Sequence, residues 1–312
     1  MDQNLQTAML LWKRSLQVKR RSKQTQKQYQ YHVEKMVNWL KEREVTQLSE
    51  VTWMLIEEHI AWFNQGRAQN TVRQAVNSMR SFFDYCHDRE LITPEHYQKL
   101  KPSLKSMPNQ YNAQRTLAIN EVKRLIDSCN ATPTGIRNAA LMSLLFDSGL
   151  RSAEVCRVQV NQLEYDVEIA PGVIVNRILV QVKGGAKEPA YFGAETRKLV
   201  ERWLNIRPQI IVEPGIEELF VGIGGNTPGE ALTPPGLRAL LRKLGKKAGV
   251  RGVSPHTFRR AFAVTLEAAG ATTKTIKDLG RWKTLQMVLH YLRGYEAATR
   301  YNEVAPLDFI RR

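Results

Sequence analysis

Hydrophobic positions in the first hundred residues recur at the helical period. Between Thr25 and Glu42 the residues Tyr29, Val33, Met36, Val37 and Leu40 share one face, which predicts an amphipathic helix. The pattern returns from Thr71, where Val72, Val76, Met79, Phe83 and Cys86 make the apolar stripe and Arg73, Asn77 and Arg80 an adjacent polar one. Such a polar stripe is the solvated face of an ordinary helix; in a basic module it also suits contact with phosphates or base edges. The stretch Lys101–Asn112 then breaks the pattern, being polar and holding Pro102 and Pro108. The chain is expected to divide there into a helical domain, residues 1–111, and a second domain, residues 112–312.

The second part mixes periods. Helical signals resume at Asn120, and the run Arg137–Phe146 is apolar nearly all round, as expected of a buried helix. Gly149 closes that helix, and Ser152 is the expected N-cap of the next. Gly172–Val182 is rich in Val and Ile and reads as a strand; Gly184-Gly185 marks a turn, and Glu188–Phe192 can pair back as a second strand. Helices return from Glu195, interrupted by the Gly/Pro-rich segment Gly222–Gly236. The expected fold class is mainly α with a small antiparallel β-sheet, an all-helical domain followed by an α+β one.

Composition adds a partner. The 312 residues hold 46 Lys and Arg against 30 Asp and Glu, a net charge of +16 with a pI of about 9.9. Residues 1–112 carry 17 basic and 11 acidic side chains, and the remainder carries 29 and 19. A charge spread over both parts argues for a polyanion, nucleic acid first, more than for one basic tail. The three cysteines stand far apart, which excludes a disulfide scaffold and a cysteine-rich zinc site. No run of about 18 apolar residues occurs, and the basic residues of the N-terminus follow its apolar patch, the reverse of a secretory signal. The expectation is a cytoplasmic protein that does not engage a membrane. The Gly222-Ile-Gly-Gly run lacks the third glycine of a dinucleotide fingerprint and no P-loop pattern is present, so no cofactor and no metal is expected.

Metal-free chemistry on a phosphodiester needs fixed positive charge on the non-bridging oxygens, a nucleophile, and groups that move protons at the two reacting oxygens. Arg suits the first role because it stays charged and donates two parallel hydrogen bonds. Tyr becomes a nucleophile once neighbouring groups help remove its proton. Four segments offer these parts in order. Phe146–Glu154 sets Arg151 at a Gly-flanked helix junction, and Gln181–Glu188 sets Lys183 at a strand end with Lys187 beyond the turn. Ser254–Phe262 presents His256 and Arg259 on one helical face, and Gly280–Arg293 carries Trp282 nine residues before Tyr291. Each piece alone has an ordinary explanation: hairpin lysines are mostly solubilising, and a second His-x-x-Arg occurs at His290 and Arg293.

Taken in order, the set resembles the tyrosine recombinases of the phage integrase family. Gly149-Leu-Arg-Ser-Ala-Glu154 resembles the family's first-arginine box, Ser254-Pro-His-Thr-Phe-Arg259 its His-x-x-Arg box, Lys183 its β-hairpin lysine, and Trp282–Arg293 a Cre-like Trp-to-Tyr segment. Residues 1–111 resemble the helical core-binding, SAM-like DNA-binding domain, and 112–312 the catalytic domain with its C-terminal exchange helix. Many relatives have His directly after the Leu-Gly of the last box, where this chain has Arg281; the nine-residue spacing gives that role to Trp282 and leaves Arg281 an extra cation. Tyr295 and Tyr301 are local rivals of Tyr291 without that spacing.

The resemblance implies attack by Tyr291 on a DNA phosphate, leaving a 3′-phosphotyrosyl bond and a free 5′-hydroxyl. Arg151 and Arg259 would stabilise the phosphate charge, Lys183 protonate the departing oxygen, His256 accept the tyrosine proton or bind the phosphate, and Trp282 donate its N–H or buttress Tyr291. It further implies a C-shaped clamp on double-stranded DNA carrying a specific recombination site, and a homotetramer on two such sites passing through a Holliday junction. Accessory DNA-bending proteins are an open partner class. The job would be integration or excision of a mobile element, or resolution of DNA dimers. Rival readings are a type IB topoisomerase-like relaxing enzyme, a non-catalytic DNA-binding relative, and a basic RNA-binding or structural protein. The last leaves the ordered set unexplained.

Overall fold

The computed structural model describes residues 3–18, 23–105, 115–182, 185–211, 215–224 and 228–292. They belong to two compact units, Met1–Asn112 and Ala113–Arg312. The first holds α1 (Leu5–Val18), α2 (Lys23–Lys41), α3 (Trp53–Asn64), α4 (Gln69–Asp88) and α5 (Pro94–Leu100). The stripes expected from the sequence meet: Val33, Met36, Val37 and Leu40 of α2 share a buried cluster with Val76, Met79, Phe83 and Cys86 of α4. Across this pair α1 lays Trp12, whose Nε1 donates to the Ser81 carbonyl at 3.1 Å and whose ring meets Phe82 edge-on at 5.7 Å. Thr52 and Thr93 cap α3 and α5 by accepting from the third N–H of each helix.

The second unit comprises α6 (Ile119–Asp127), α7 (Pro133–Ser148), α8 (Ser152–Val155), β1 (Leu163–Ala170), β2 (Val173–Gln181), β3 (Lys187–Phe192), α9 (Ala194–Ile206), α10 (Pro234–Lys247), α11 (Pro255–Ala268) and α12 (Thr273–Leu279). Its axis is α7, with Leu141, Leu144 and Leu145 fully buried among α6, α9, α11 and β3. Even Arg137 is buried there, donating to the Val221 carbonyl and to Asn138 Oδ1, both at 2.8 Å. The helix stops at Gly149, whose φ of 59° is left-handed. A Cβ at that position would lie 2.6 Å from the Phe262 ring, so the turn and the close packing both demand glycine.

The sheet has three antiparallel strands in the order β1-β2-β3, where the sequence reading gives two. In β1, Leu163, Tyr165, Val167 and Ile169 alternate with Glu164, Asp166 and Glu168, and a bulge interrupts the pairing where Asp166 takes a φ of 52°. Ile178 of β2 and Ala190 of β3 stand opposite each other and bury into the α7 core. No helix among the described residues is long and apolar enough to cross a membrane.

Candidate active site

Arg151, and not Ser152, is the N-cap of α8. The reason is Glu154, whose carboxylate reaches back to accept the Arg151 main-chain N–H at 2.8 Å and so caps the helix one residue earlier. The same carboxylate accepts from Arg151 Nη1 at 2.5 Å, while Arg151 Nη2 donates to the Arg281 carbonyl at 2.9 Å.

Ser254 caps α11 and Pro255 opens it, which sets His256 and Arg259 one turn apart. Arg259 is buried; its guanidinium donates to the Gly149 carbonyl and, at 2.5 Å, to the Gly280 carbonyl. The Trp282 ring lies 4.1 Å from its Cζ, a cation–π contact. That approach depends on Gly280, where a Cβ would fall 1.7 Å from the indole. Phe262 stacks on the Trp282 ring at 6.3 Å.

Tyr291 sits on the helical run 285–292. Its ring centroid is 5.4 Å from Trp282 and 5.3 Å from His256, and Arg260 Cζ lies 5.1 Å from the same ring. Arg151, His256, Arg259, Trp282 and Tyr291 therefore form one connected cluster. Lys183 lies outside the described residues, as do Arg293, Tyr295, Tyr301 and the segment past 292.

The charges in the cluster are unequal. Burial, then the charges of Arg151 and Arg281, pushes the Arg259 pKa down, but a guanidinium starts so high that it stays protonated. Burial alone would raise Glu154; the Arg151 N–H and the Arg281 and Arg151 charges outweigh it and hold the carboxyl below its usual range. Glu154 is thus an ionised counter-charge among three arginines. His256 keeps one side open to solvent. Loss of water around the rest of it, then the charges of Arg260, Arg259 and His290, lower its pKa below the ordinary histidine value, which leaves it neutral at pH 7. The excess positive charge beside a neutral imidazole and a phenol suits a phosphodiester.

Arg281 is more than an extra cation. Its side chain is 2 % exposed and donates to Leu279 O at 3.1 Å, Ser148 O at 3.3 Å and Glu154 Oε2 at 3.3 Å.

In the first unit, Arg80 donates its Nε to the Leu104 carbonyl at 2.7 Å, with a second bond from Nη2, so this member of the polar stripe braces the end of its own domain. Arg73 and Asn77 are half-buried on α4, and Arg73 Nε has no hydrogen-bond partner among the described residues. Lys13 of the basic N-terminal stretch is paired with Glu34 at 2.5 Å.

The sequence reading passes over a second basic surface. Arg238, Arg242 and Lys246 recur every fourth residue on the exposed face of α10 and line a depression with Arg251 and Ser254, directly before His256. None of these four cations pairs with a carboxylate among the described residues. Their spacing was the available signal.

Residues 115–297 match the model of the phage integrase family, and residues 9–93 that of the phage integrase N-terminal SAM-like domain. The chain belongs to the phage integrase family and is a tyrosine recombinase. Tyrosine recombinase XerC of Anoxybacillus flavithermus is 24% identical over 259 residues, 80% of either chain. The XerC of Bacillus subtilis is 26% identical over 223 residues, 70% of this chain and 68% of that one. Among solved structures, XerH site-specific recombinase bound to palindromic difH substrate, a post-cleavage complex, superposes with a TM-score of 0.74 at 17% identity, covering 91% of this chain and 80% of that one. A lambda integrase dimer bound to a COC′ core site gives 0.70 at 14% identity, covering 93% and 77%. Both share the fold described above.

Proposed function

We propose that this chain is a site-specific recombinase that breaks and rejoins duplex DNA through a 3′-phosphotyrosyl bond on Tyr291. The observation that carries the reading is the convergence of Arg151, the His256–Arg259 turn and the Trp282–Tyr291 segment on one positively charged cluster. The Tyr291 oxygen attacks phosphorus as the bond to the 5′-oxygen breaks. The tyrosine proton passes to neutral His256, and the departing 5′-oxygen takes its proton from Lys183, a role assigned by resemblance. Arg151 and Arg259 hold the charge that builds on the non-bridging oxygens. Trp282 can only donate, so its indole N–H serves the phosphate or steadies Tyr291. One phosphoester replaces another, and a 5′-hydroxyl from a partner strand can reverse the step without an energy source.

The exposed row Arg238, Arg242, Lys246 and Arg251 is the proposed phosphate-tracking surface of the second unit, and Arg73 and Asn77 contribute from the first. Relatives of this fold solved with a difH substrate and with a core site support duplex DNA as the partner. Exchanging both strands between two duplexes, one tyrosine per cut, calls for four protomers on two sites and a Holliday junction between the two rounds. The job is integration or excision of a mobile element, or resolution of DNA dimers, in the cytoplasm.

The test is covalent trapping on a nicked duplex carrying the cognate site, comparing the wild type with Tyr291→Phe. An SDS-resistant adduct from the wild type alone, mapped to a 3′-phosphate, is expected. An equal adduct from the variant would move the nucleophile to another tyrosine. Relaxation of supercoils without paired sites would favour topoisomerase-like action.

A further inference from the structure

We infer that Arg281 is a positioning residue for the two phosphate-binding arginines, a buried guanidinium that sets the turn on which both are anchored. The inference rests on the proposed role of Arg151 and Arg259. Arg281 itself is too deep to meet DNA, with its side chain 2 % exposed. It gathers three separate segments instead: the Ser148 carbonyl at the end of α7, the Leu279 carbonyl at the end of α12, and the Glu154 carboxylate on α8.

The backbone of the same residue does the anchoring. Arg281 has a φ of 56°, a left-handed conformation that a long side chain rarely adopts. With the chain turned in this way, two consecutive carbonyls face inward: Gly280 O accepts from Arg259 and Arg281 O accepts from Arg151. The side chain closes a ring, because Arg151 binds the Arg281 carbonyl, Arg281 binds Glu154, and Glu154 binds both the main chain and the guanidinium of Arg151. Removing the Arg281 guanidinium releases Glu154 on one side and leaves the turn to find another path. Both arginines would then lose their fixed aim without losing any atom of their own.

Glycine accepts the left-handed backbone, so Arg281→Gly isolates the guanidinium. On the nicked substrate we expect single-turnover adduct formation to fall about 10²-fold, the scale set by small misplacements of reacting groups, with DNA affinity unchanged. Free guanidinium ion at non-denaturing concentration should restore part of the rate, and ammonium at the same ionic strength should not. A merely stabilising residue would not show that rescue. Wild-type cleavage by Arg281→Gly, or a loss that guanidinium does not restore, overturns the inference. Should Arg281→Gly fail to fold, Arg281→Lys keeps the charge but cannot span three acceptors; it should fold and cleave slowly, and cleavage at the wild-type rate overturns the inference. A wild type that forms no Tyr291-dependent adduct sinks the functional reading itself, and the positioning role with it.

Discussion

Arg151 and Arg281 are joined twice: Arg151 Nη2 donates to the Arg281 carbonyl at 2.9 Å, and both guanidinium groups reach the carboxylate of Glu154, at 2.5 and 3.3 Å. Glu154→Gln keeps the shape and removes the counter-charge between them. We expect it to destabilise the protein by about 3 kcal/mol, the scale for breaking a buried pair, as read by urea unfolding at pH 7. The Glu154 carboxyl is held below its ordinary value of 4.5, so its contribution is present above that pH and is lost as the pH falls through the folded-state value. Wild type and variant should therefore converge in acid.

Gly280 has an ordinary φ of −82°, so its requirement is steric. In Gly280→Ala the new methyl meets the Trp282 ring and pushes the indole off Arg259. The expected cost is about 1–3 kcal/mol of stability and about 10²-fold in adduct formation, with DNA affinity retained. Gly149→Ala adds left-handed strain to its clash with Phe262 and should lose more stability, measurable as a larger drop in melting temperature.

The two groups of arginines should separate in a salt titration. Arg238→Ala and Arg242→Ala should each weaken DNA binding and lower the slope of log affinity against log salt by about 1, without changing thermal stability. Arg80→Ala should do the reverse, costing about 1–3 kcal/mol because the Leu104 carbonyl loses its donors.

Acid should weaken the first unit through His59, which is buried among Trp39, Trp62 and Phe63. Burial first, then the charges of Arg43, Arg67 and His32, lower its pKa from 6.5 to about 4. The unfolded chain binds that proton first, so stability falls as the pH drops from 6.5 towards 4, by up to about 3 kcal/mol. His59 Nδ1 has no hydrogen-bond partner among the described residues, so His59→Phe forfeits none there. That variant should flatten the pH dependence of the urea midpoint, leaving the smaller slope of His32, whose pKa is also lowered by burial.

What the sequence revealed of this protein was whatever depends on spacing. The stripes of α2 and α4 follow the helical period, and the order of Arg151, His256, Arg259, Trp282 and Tyr291 needs no knowledge of how they meet. The acceptors were not legible. Arg259 finds Gly149 across 110 positions and Arg151 finds Arg281 across 130, and only tertiary closure decides such pairs. Arg80 shows the converse: its period marks it as surface, yet the chain beyond α5 returns a carbonyl to it. In β1 the alternation was present, but the acidic residues between its apolar positions hid a strand that a bulge also bends.

Arg259 is held by the main-chain oxygens of Gly149 and Gly280, and Arg151 by that of Arg281 besides the Glu154 carboxylate. A point mutation can replace a side chain but cannot delete a carbonyl. The hold on Arg259 is thus insulated from drift at its acceptors for as long as the turns keep their path. Arg238, Arg242 and Lys246 stand on an open helix face and have no such protection. On the proposed function, a lineage built this way can vary its contacts along the DNA backbone while inheriting intact the anchorage of Arg259.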